Sequence, residues 1–394
     1  MGLSGASFGL VGGFPLFVLA QALAARHVPE PTIATVIAVS VSPGFWSFLL
    51  SPVLDVWASR RSYALGLITV SAVLVGASVL LLDHLALLEV TAISAYAANQ
   101  LYYSALGGWL STVCGPNDEN KLSAWLTVAN IGGFGVMALL GGELIRNTPP
   151  GLAVVLIATL ILLPALLFTG IPAPGPDRRL AKESFRAFWA DVFQLLRRRE
   201  IWFALLLFVA PCGTFSLTNM LSGFGGDFGA TPRLIGILGG VGSAVAGVCG
   251  SFLLPTLARR LRLRPLYLAI GVVGAVFTLG VLLLPRNPSS FALAILSENV
   301  FQSLAITCSI AITFETIGKA NPLAATNFAV LTGAFNVPIS YMIFVDGRGY
   351  GRWGVPGAFA VDATLGLVAC LLMALLLLSF DRPRFGGQAA KLST

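Results

Sequence analysis

The sequence predicts an all-α membrane protein whose twelve transmembrane helices form two pseudo-symmetric six-helix bundles. Three observations carry this expectation. Hydrophobic residues make up 56% of the 394 residues and charged ones 10%, against roughly a quarter charged in a soluble domain, so the chain cannot clothe a globule in polar side chains. Its apolar runs reach about 20 residues, the length of a bilayer-spanning helix, and lack the strict alternation of barrel strands. The two halves also match each other. "NKLSAWLTVANIGGF" (120–134) lies over "NPLAATNFAVLTGAF" (321–335), with Asn120 on Asn321, Leu122 on Leu323, Gly132 on Gly333 and Phe134 on Phe335.

Charged and Pro/Gly-rich breaks delimit the spans in order. The first, 6–25, ends at Arg26 and His27, and the second, 32–55, runs into "DVWASRR". Asp83 and His84 separate the third, 63–82, from the fourth, 86–113; "GPNDENK" precedes the fifth, 122–144, and "RNTPPG" leads into the sixth, 151–170. In the second half, 201–222 and 232–257 flank "GGDFGATPR", "RRLRLRP" precedes 265–284, and "PRNPSS" leads into 290–315. "GKANP" comes before 323–345, and "GRGYGRWGVP" before 356–380. The resulting organisation is an N-terminal bundle over 1–170, a cytoplasmic linker over 171–200, and a C-terminal bundle with a short tail over 201–394. In the linker, Phe185, Phe188, Trp189, Val192 and Leu196 fall at helical spacing among basic residues. That pattern reads as an amphipathic helix lying on the cytoplasmic leaflet.

Charge placement orients the chain. Arg26, Arg146, Arg233, Arg286, Arg348 and Arg352 fall in outer loops, and all other Lys and Arg of the 24 fall on the inner side. Under the positive-inside rule both termini are cytoplasmic, in a multi-pass protein of the cell inner membrane. The net charge of +7 is then topology and phospholipid contact, and nucleic acid is not a partner. Cys114, Cys212, Cys249, Cys308 and Cys370 are odd in number and lack metal-ligand spacing, so no disulfide framework, metal or cofactor is expected. "MGLSGASFGLVGGF" has no basic n-region, so the first helix is expected to be retained.

"SPVLDVWASRRSYALG" (51–66) joins the second and third spans. It resembles the cytoplasmic glycine–acid–basic loop of the major facilitator superfamily, with Asp55 and Arg60–Arg61 fitting the pattern. Ser51 and Ala58 stand where that family has glycines, and Val56 replaces a basic residue. "GGWLSTVCGPNDENKLSAWLTVANIGGFGVMALLGGEL" (107–144) and "SENVFQSLAITCSIAITFETIGKANPLAATNFAVLTGAFNVP" (297–338) resemble the AmpG-like muropeptide permeases and their acetyl-CoA transporter relatives. The resemblance implies the major facilitator fold, with two bundles rocking about a central cavity, and a permease function. Permeases of that branch carry acids in the fourth span, where this chain has "AANQLYYSALGGW" and none.

Polar side chains at membrane depth are costly and usually face a cavity or one another. Glu298 lies about 12 Å from the outer end of its span, at 1.5 Å per residue, with Asn299, Gln302 and Ser303 beside it. It is the leading candidate for a protonatable or substrate-contacting group; the alternative is a structural acid. Asn99, Gln100, Tyr102 and Tyr103 cluster in the fourth span. With Asn130, Asn219, Asn327, Asn336 and Gln21 they are candidates for a hydrogen-bonding path, each alone being equally readable as an interhelical bond. Asp362 is a weaker member, and Glu315 is weaker still. Gly5, Gly9, Gly13, Gly236 and Gly240 suggest close helix approach, and Pro15, Pro211 and Pro338 suggest kinks.

Asp55, Arg60 and Arg61 form the expected cytoplasmic gate. Laying Pro255 over Pro52 puts Ala258 where Asp55 stands, while the basic residues recur in both halves. An acid kept on one side only suits a lock between halves, with its partner around Asn321 to Ala325. The alternative is a local pairing with Arg60 or Arg61. No GxxxxGK[ST] or HExxH motif occurs, so an enzyme is not expected. The reading is a secondary active transporter of a polar or amphipathic small solute, working by alternating access as a proton symporter and as a monomer. An exporter or uniporter without proton coupling is the alternative, followed by a non-transporting receptor or an intramembrane transferase.

Overall fold

A computed structural model describes residues 1–115, 118–173, 199–318 and 321–381. Among these the chain is all-helical. We number the spans α1 (Gly2–Ala24), α2 (Thr35–Asp55), α3 (Arg60–Leu80), α4 (Leu85–Val113), α5 (Glu119–Asn147) and α6 (Pro150–Gly170). The second half follows with α7 (beginning Arg199–Val209), α8 (Pro232–Leu257), α9 (Leu263–Val281), α10 (Pro288–Ile317), α11 (Ala324–Trp353) and α12 (Val355–Asp381). Ten of the twelve are long and apolar enough to cross a membrane. The exceptions are α4, diluted by its amides and tyrosines, and α7, which is broken. The amphipathic linker helix expected over 185–196 lies outside the described residues.

Two boundaries differ from expectation. A continuous span over 201–222 is absent: α7 stops at Val209 and resumes in short turns at Ser216–Asn219 and Leu221–Phe224. Pro211 has no N–H to continue the ladder, and Phe215 sits at φ 46, a left-handed conformation unfavourable for a side chain bearing Cβ. At the other site, α11 runs on to Trp353 rather than ending near 345, which brings Asp346 inside the helix, fully buried. The glycines there read as a loop, yet the helix continues through them because Gly349 and Gly357 let α11 and α12 touch backbone to backbone.

Close approach elsewhere uses only some of the expected glycines. A Cβ on Gly9 would lie 1.9 Å from the Asn130 carbonyl oxygen, and one on Gly133 2.2 Å from that of Ala6, so α1 and α5 pack at backbone contact. Gly236 and Gly240 instead face open space among the described residues, where a Cβ would meet nothing within 4 Å. Near Pro15, α1 widens into π-type turns over Phe14–Leu19. Such a bulge absorbs the hydrogen bond a proline removes.

The first half has one core, centred on Trp109, Tyr102, Phe14 and Leu106, into which the tips of α10 and α11 insert Ile310, Phe314, Ala325 and Phe328. The second half has two, one around Phe208, Tyr267 and Phe335 and one around Phe228, Phe291 and Phe359. The halves therefore meet through α10 and α11, which carry residues of the first core. Across the same interface, Trp125 of α5 packs edge-on against Phe252 of α8, with centroids 5.1 Å apart.

Gly9→Ala should force α1 from α5 and destabilise the protein by about 1–3 kcal/mol, the usual cost of overpacking. Gly132→Ala, where nothing lies within 4 Å, should be neutral. Thermal unfolding of the two purified variants in detergent compares them directly.

Candidate functional site

Between the halves lies a cavity of about 240 Å³, walled by α1, α2, α4 and α5 on one side and α10 and α11 on the other. Four sequence candidates line it: Gln100, Tyr103, Asn130 and Asn336. Tyr96, Ser104, Thr127, Ser309 and Thr332 add hydroxyls that the sequence did not single out, and the rings of Phe8, Phe48, Phe134 and Phe335 add apolar faces. Its lining contains no Asp, Glu, Lys, Arg or His. Ser104 and Thr332 donate to carbonyls of their own helices at 2.9 and 2.7 Å, which leaves oxygen lone pairs available to a guest. Asn130 Oδ1 is a buried acceptor with no protein partner. Phe8 stacks on Tyr103 at 4.0 Å and stiffens that wall.

Asn99, Tyr102, Asn299, Gln302 and Asn219 make structural bonds instead. Asn99 donates to the Phe8 carbonyl at 3.1 Å, and Tyr102 to that of Ser4 at 2.6 Å; both tie α4 to α1. Asn299 bonds its own helix at the Ile295 carbonyl, 2.7 Å away. Gln302 donates to Thr218 Oγ1 at 2.7 Å and to the Phe215 carbonyl at 3.3 Å, and Asn219 donates to that of Ser216 at 3.4 Å. These three contacts lie at the break in α7. Asn327 is buried, with its Nδ2 unpartnered, and Gln21 is exposed near the end of α1.

Three carboxyl groups gather in the outer part of the second half. Glu298 is 2% exposed; its Oε1 bonds Thr278 Oγ1 of α9, and its Oε2 has no partner. Thr278 also contacts the Gly274 carbonyl at 3.0 Å. Ser216, just past the break in α7, bonds both Asp346 of α11 and Asp362 of α12, the latter at 2.8 Å. Glu298 lies within Coulombic reach of both aspartates. Asp346, Ser216 and Thr278 escaped the sequence reading, the first because its surroundings resemble a loop.

At the opposite end, Asp55 meets the second half. The last nine residues of α2, Ser47–Asp55, tighten into a 3-10 turn that delivers the carboxylate to the start of α11. Asp55 Oδ1 accepts from Ala325 N at 3.2 Å, while Oδ2 accepts from Thr326 N at 2.8 Å and Thr326 Oγ1 at 2.7 Å. Those N–H groups belong to the first turn of a helix, where they have no intrahelical acceptor and the dipole favours an anion. Arg60 Nε donates to Asp55 Oδ1 at 2.8 Å, and its NH2 reaches the carbonyls of Asn321 and Pro322 at 3.3 and 2.6 Å. Both partners that the sequence offered for Asp55 are thus engaged together. Arg61 turns elsewhere, with its guanidinium 5.8 Å from the Trp109 ring centroid.

The model of the Major Facilitator Superfamily matches residues 1–341. The chain belongs to that superfamily. Its fold is shared with the E. coli fucose:proton symporter FucP, at a TM-score of 0.70 and 15% identity, covering 95% of this chain and 96% of that one. It is shared as well with a bacterial homologue of the iron transporter ferroportin in the outward-facing state (0.66, 17%, 97% and 98%). The proton:xylose symporter XylE bound to a halogenated glucose analogue is also similar (0.66, 13%, 95% and 94%). No curated protein matches the sequence. The superfamily and these neighbours are transporters, not enzymes.

The bonds from Asp55 and Arg60 to the start of α11 join the two halves. The Asp55 contacts are as buried as any in the molecule: the Arg60 and Asp55 side chains are 6% and 0% exposed. Asp55→Ala would remove one member of a buried ion pair, at a cost of about 3–5 kcal/mol. Asp55→Asn removes the charge yet keeps an acceptor. Spin labels on exposed Trp57 and Arg262, one in each half, should report a longer and broader distance distribution in Asp55→Asn than in the parent protein. An unchanged distribution would mean that the contact does not hold this end together.

Proposed function

We propose that this chain is a secondary active transporter that carries a small, uncharged, hydroxyl-rich solute by alternating access, driven by protons. The cavity is the observation that carries this reading. Its polar groups are neutral hydroxyls and amides, and aromatic faces stand among them. A polyol or sugar ring presents the matching combination of hydroxyl edges and apolar C–H faces. An ionised solute would find no counter-charge, and burying an unpaired charge is prohibitively costly. At about 240 Å³ the cavity falls below the roughly 300–1,000 Å³ typical of drug-sized ligands, which favours a solute of about one sugar unit. That fucose and xylose are carried by symporters of this fold supports the class. The likeness of 107–144 and 297–338 to AmpG-like permeases also supports a saccharide-bearing solute, and the cavity volume favours the small end of that range.

Glu298 is the proposed proton carrier. Thr278 has one hydroxyl hydrogen and two oxygens to satisfy, the Gly274 carbonyl and Glu298 Oε1. A protonated Glu298 resolves that conflict by donating its own hydrogen. Its second oxygen is buried without a partner, so ionisation would leave charge on an unsatisfied acceptor, which favours the protonated acid. In this reading 1–170 and 201–394 are the two moving bundles, Asp55 and Arg60 close the cytoplasmic end, and both termini are cytoplasmic in the inner membrane. The chain works as a monomer, since each half-site lies within one chain.

Proteoliposomes screened with radiolabelled monosaccharides and polyols test the proposal. An acid-outside gradient should drive accumulation of at least one of them. Glu298→Gln should abolish accumulation while preserving exchange of labelled for unlabelled solute. Asn130→Ala should raise the half-saturating concentration roughly five-fold, the equivalent of one hydrogen bond worth about 1 kcal/mol. Gradient-driven uptake undiminished in Glu298→Gln would sink the coupling role.

A further inference from the structure

The break in α7 is pinned at one residue by two acids. Ser216 Oγ bonds Asp346 and Asp362, so the two carboxyl groups converge on one hydroxyl. A serine hydroxyl carries one hydrogen. With both aspartates ionised, three oxygens would share that single hydrogen, and at least one contact would be repulsive. Bulk water has little access to the pair, because Asp346 is fully buried and Asp362 is 7% exposed. Neither forms an ion pair among the described residues. The Arg348 guanidinium, two residues beyond Asp346, lies over the Phe344 ring at 4.1 Å instead.

Two further observations point to a bound ligand. Asp346 Oδ1 is buried with no partner, and so is Thr214 Oγ1 on the broken segment. Thr214 and Asp362 also line a small void of about 20 Å³ beside the break, room for a water-sized guest.

We infer that Asp346, Ser216 and Asp362 form a second proton-binding site, holding one proton between the two carboxyl groups and thereby fastening the broken segment of α7 to α11 and α12. When occupied, one aspartic acid donates to Ser216 and the serine donates to the other aspartate, so both serine contacts have a hydrogen. When the proton leaves to water, two carboxylates share one hydroxyl hydrogen, and the attachment fails. The turn it holds is poised to move, because Phe215 has left-handed backbone dihedrals without being glycine. The Phe215 carbonyl accepts from Gln302 at 3.3 Å, one helical turn from Glu298, so release at the break is felt beside the first proton site.

The titratable groups around the site are Glu298 on α10, Cys212 at the break, Cys370 on α12 and Tyr267 on α9, with the Tyr350–Asp227 pair beyond. Cys370 Sγ donates to the Cys212 carbonyl at 3.4 Å, and a Cβ on Gly213 would lie 2.8 Å from the Tyr267 hydroxyl. None of these supplies a positive charge. The inference rests on the proton-coupled reading of Glu298 for its role in transport, but not for the presence of the proton.

Infrared spectroscopy of the full chain in lipid separates the two. Protein grown with heavy carbon at the aspartate side-chain carboxyl should show, at neutral pH, a protonated-acid C=O band that shifts with the label. Raising the pH should remove the band and speed hydrogen exchange in the peptide over 210–219, after correction for intrinsic exchange. Asp346→Asn and Asp362→Asn should each lose the band and the pH-dependent exchange, whereas Glu298→Gln should keep both. The labelled parent protein suffices if a variant does not fold. Absence of a label-sensitive acid band at neutral pH would overturn the site, as would its survival in both aspartate variants. Failure of Glu298→Gln to affect uptake would leave this band untouched, so the two proposals can fail separately.

Discussion

Taking a carboxylate out of water costs several kcal/mol even after the protein relaxes, and Asp55 is removed almost completely. It is held because a guanidinium, two backbone N–H groups and a hydroxyl converge on its two oxygens. Much of the surrounding structure serves that convergence. Gly107 and Gly108 have no Cβ, so α4 reaches the Phe328 ring and the Ala325 backbone. Asn321 caps the approach to α11 by accepting from Leu323 N at 3.0 Å. The start of α11 is thereby presented squarely to the acid. The meeting of the two halves at this end thus joins a buried ion pair to the apolar packing of α10 and α11 against the first core.

The second half solves the same problem differently. Glu298, Asp346 and Asp362 meet hydroxyls, and none of them forms an ion pair among the described residues. Charge is thus kept in the wall, and the cavity lining stays neutral. Two helices link these regions. On α11, Thr326 meets Asp55, Thr332 and Asn336 line the cavity, and Asp346 joins the outer acid group. On α10, Glu298 and the cavity residue Ser309 stand about 16 Å apart along the axis, at 1.5 Å per residue. A rigid shift of either helix therefore moves acids and cavity wall together.

Span number and class were legible because lipid imposes long apolar helices on any chain that crosses it. The partner of Asp55 was legible for a different reason: the acid occurs in one half only, and an exposed helix start lay at the right end of the other. Cavity-lining identity was not. Asn99 and Gln100 are adjacent and equally deep, but successive helical positions point about 100° apart, so one ties α4 to α1 while the other lines the cavity. In helices apolar on every side, no amphipathic stripe reveals which face is inward. Asp346 was missed because "DGRGYGRWG" has the composition of a turn, whereas its glycines serve contact with α12. The break in α7 was signalled by Pro211 only as a kink. Its depth depends on tertiary bonds from Gln302 and the two aspartates, which no local pattern encodes.

Under the proposed alternating access, the placing of Arg60 would let so buried a contact open. Asp55 and Arg60 both belong to the first half, five residues apart, so their ion pair travels with that bundle as the halves separate. What separation breaks is the set of bonds to Ala325, Thr326, Asn321 and Pro322. Each of these can be replaced by water once the end opens. At no stage is an ionised carboxylate left buried and alone, which would cost far more than exchanging hydrogen bonds with solvent. Had the counter-charge come from the second half, opening would have required parting two desolvated ions. Keeping the cation on the same side as the acid makes the closed end tight in geometry and modest in free energy, as a reversible closure requires.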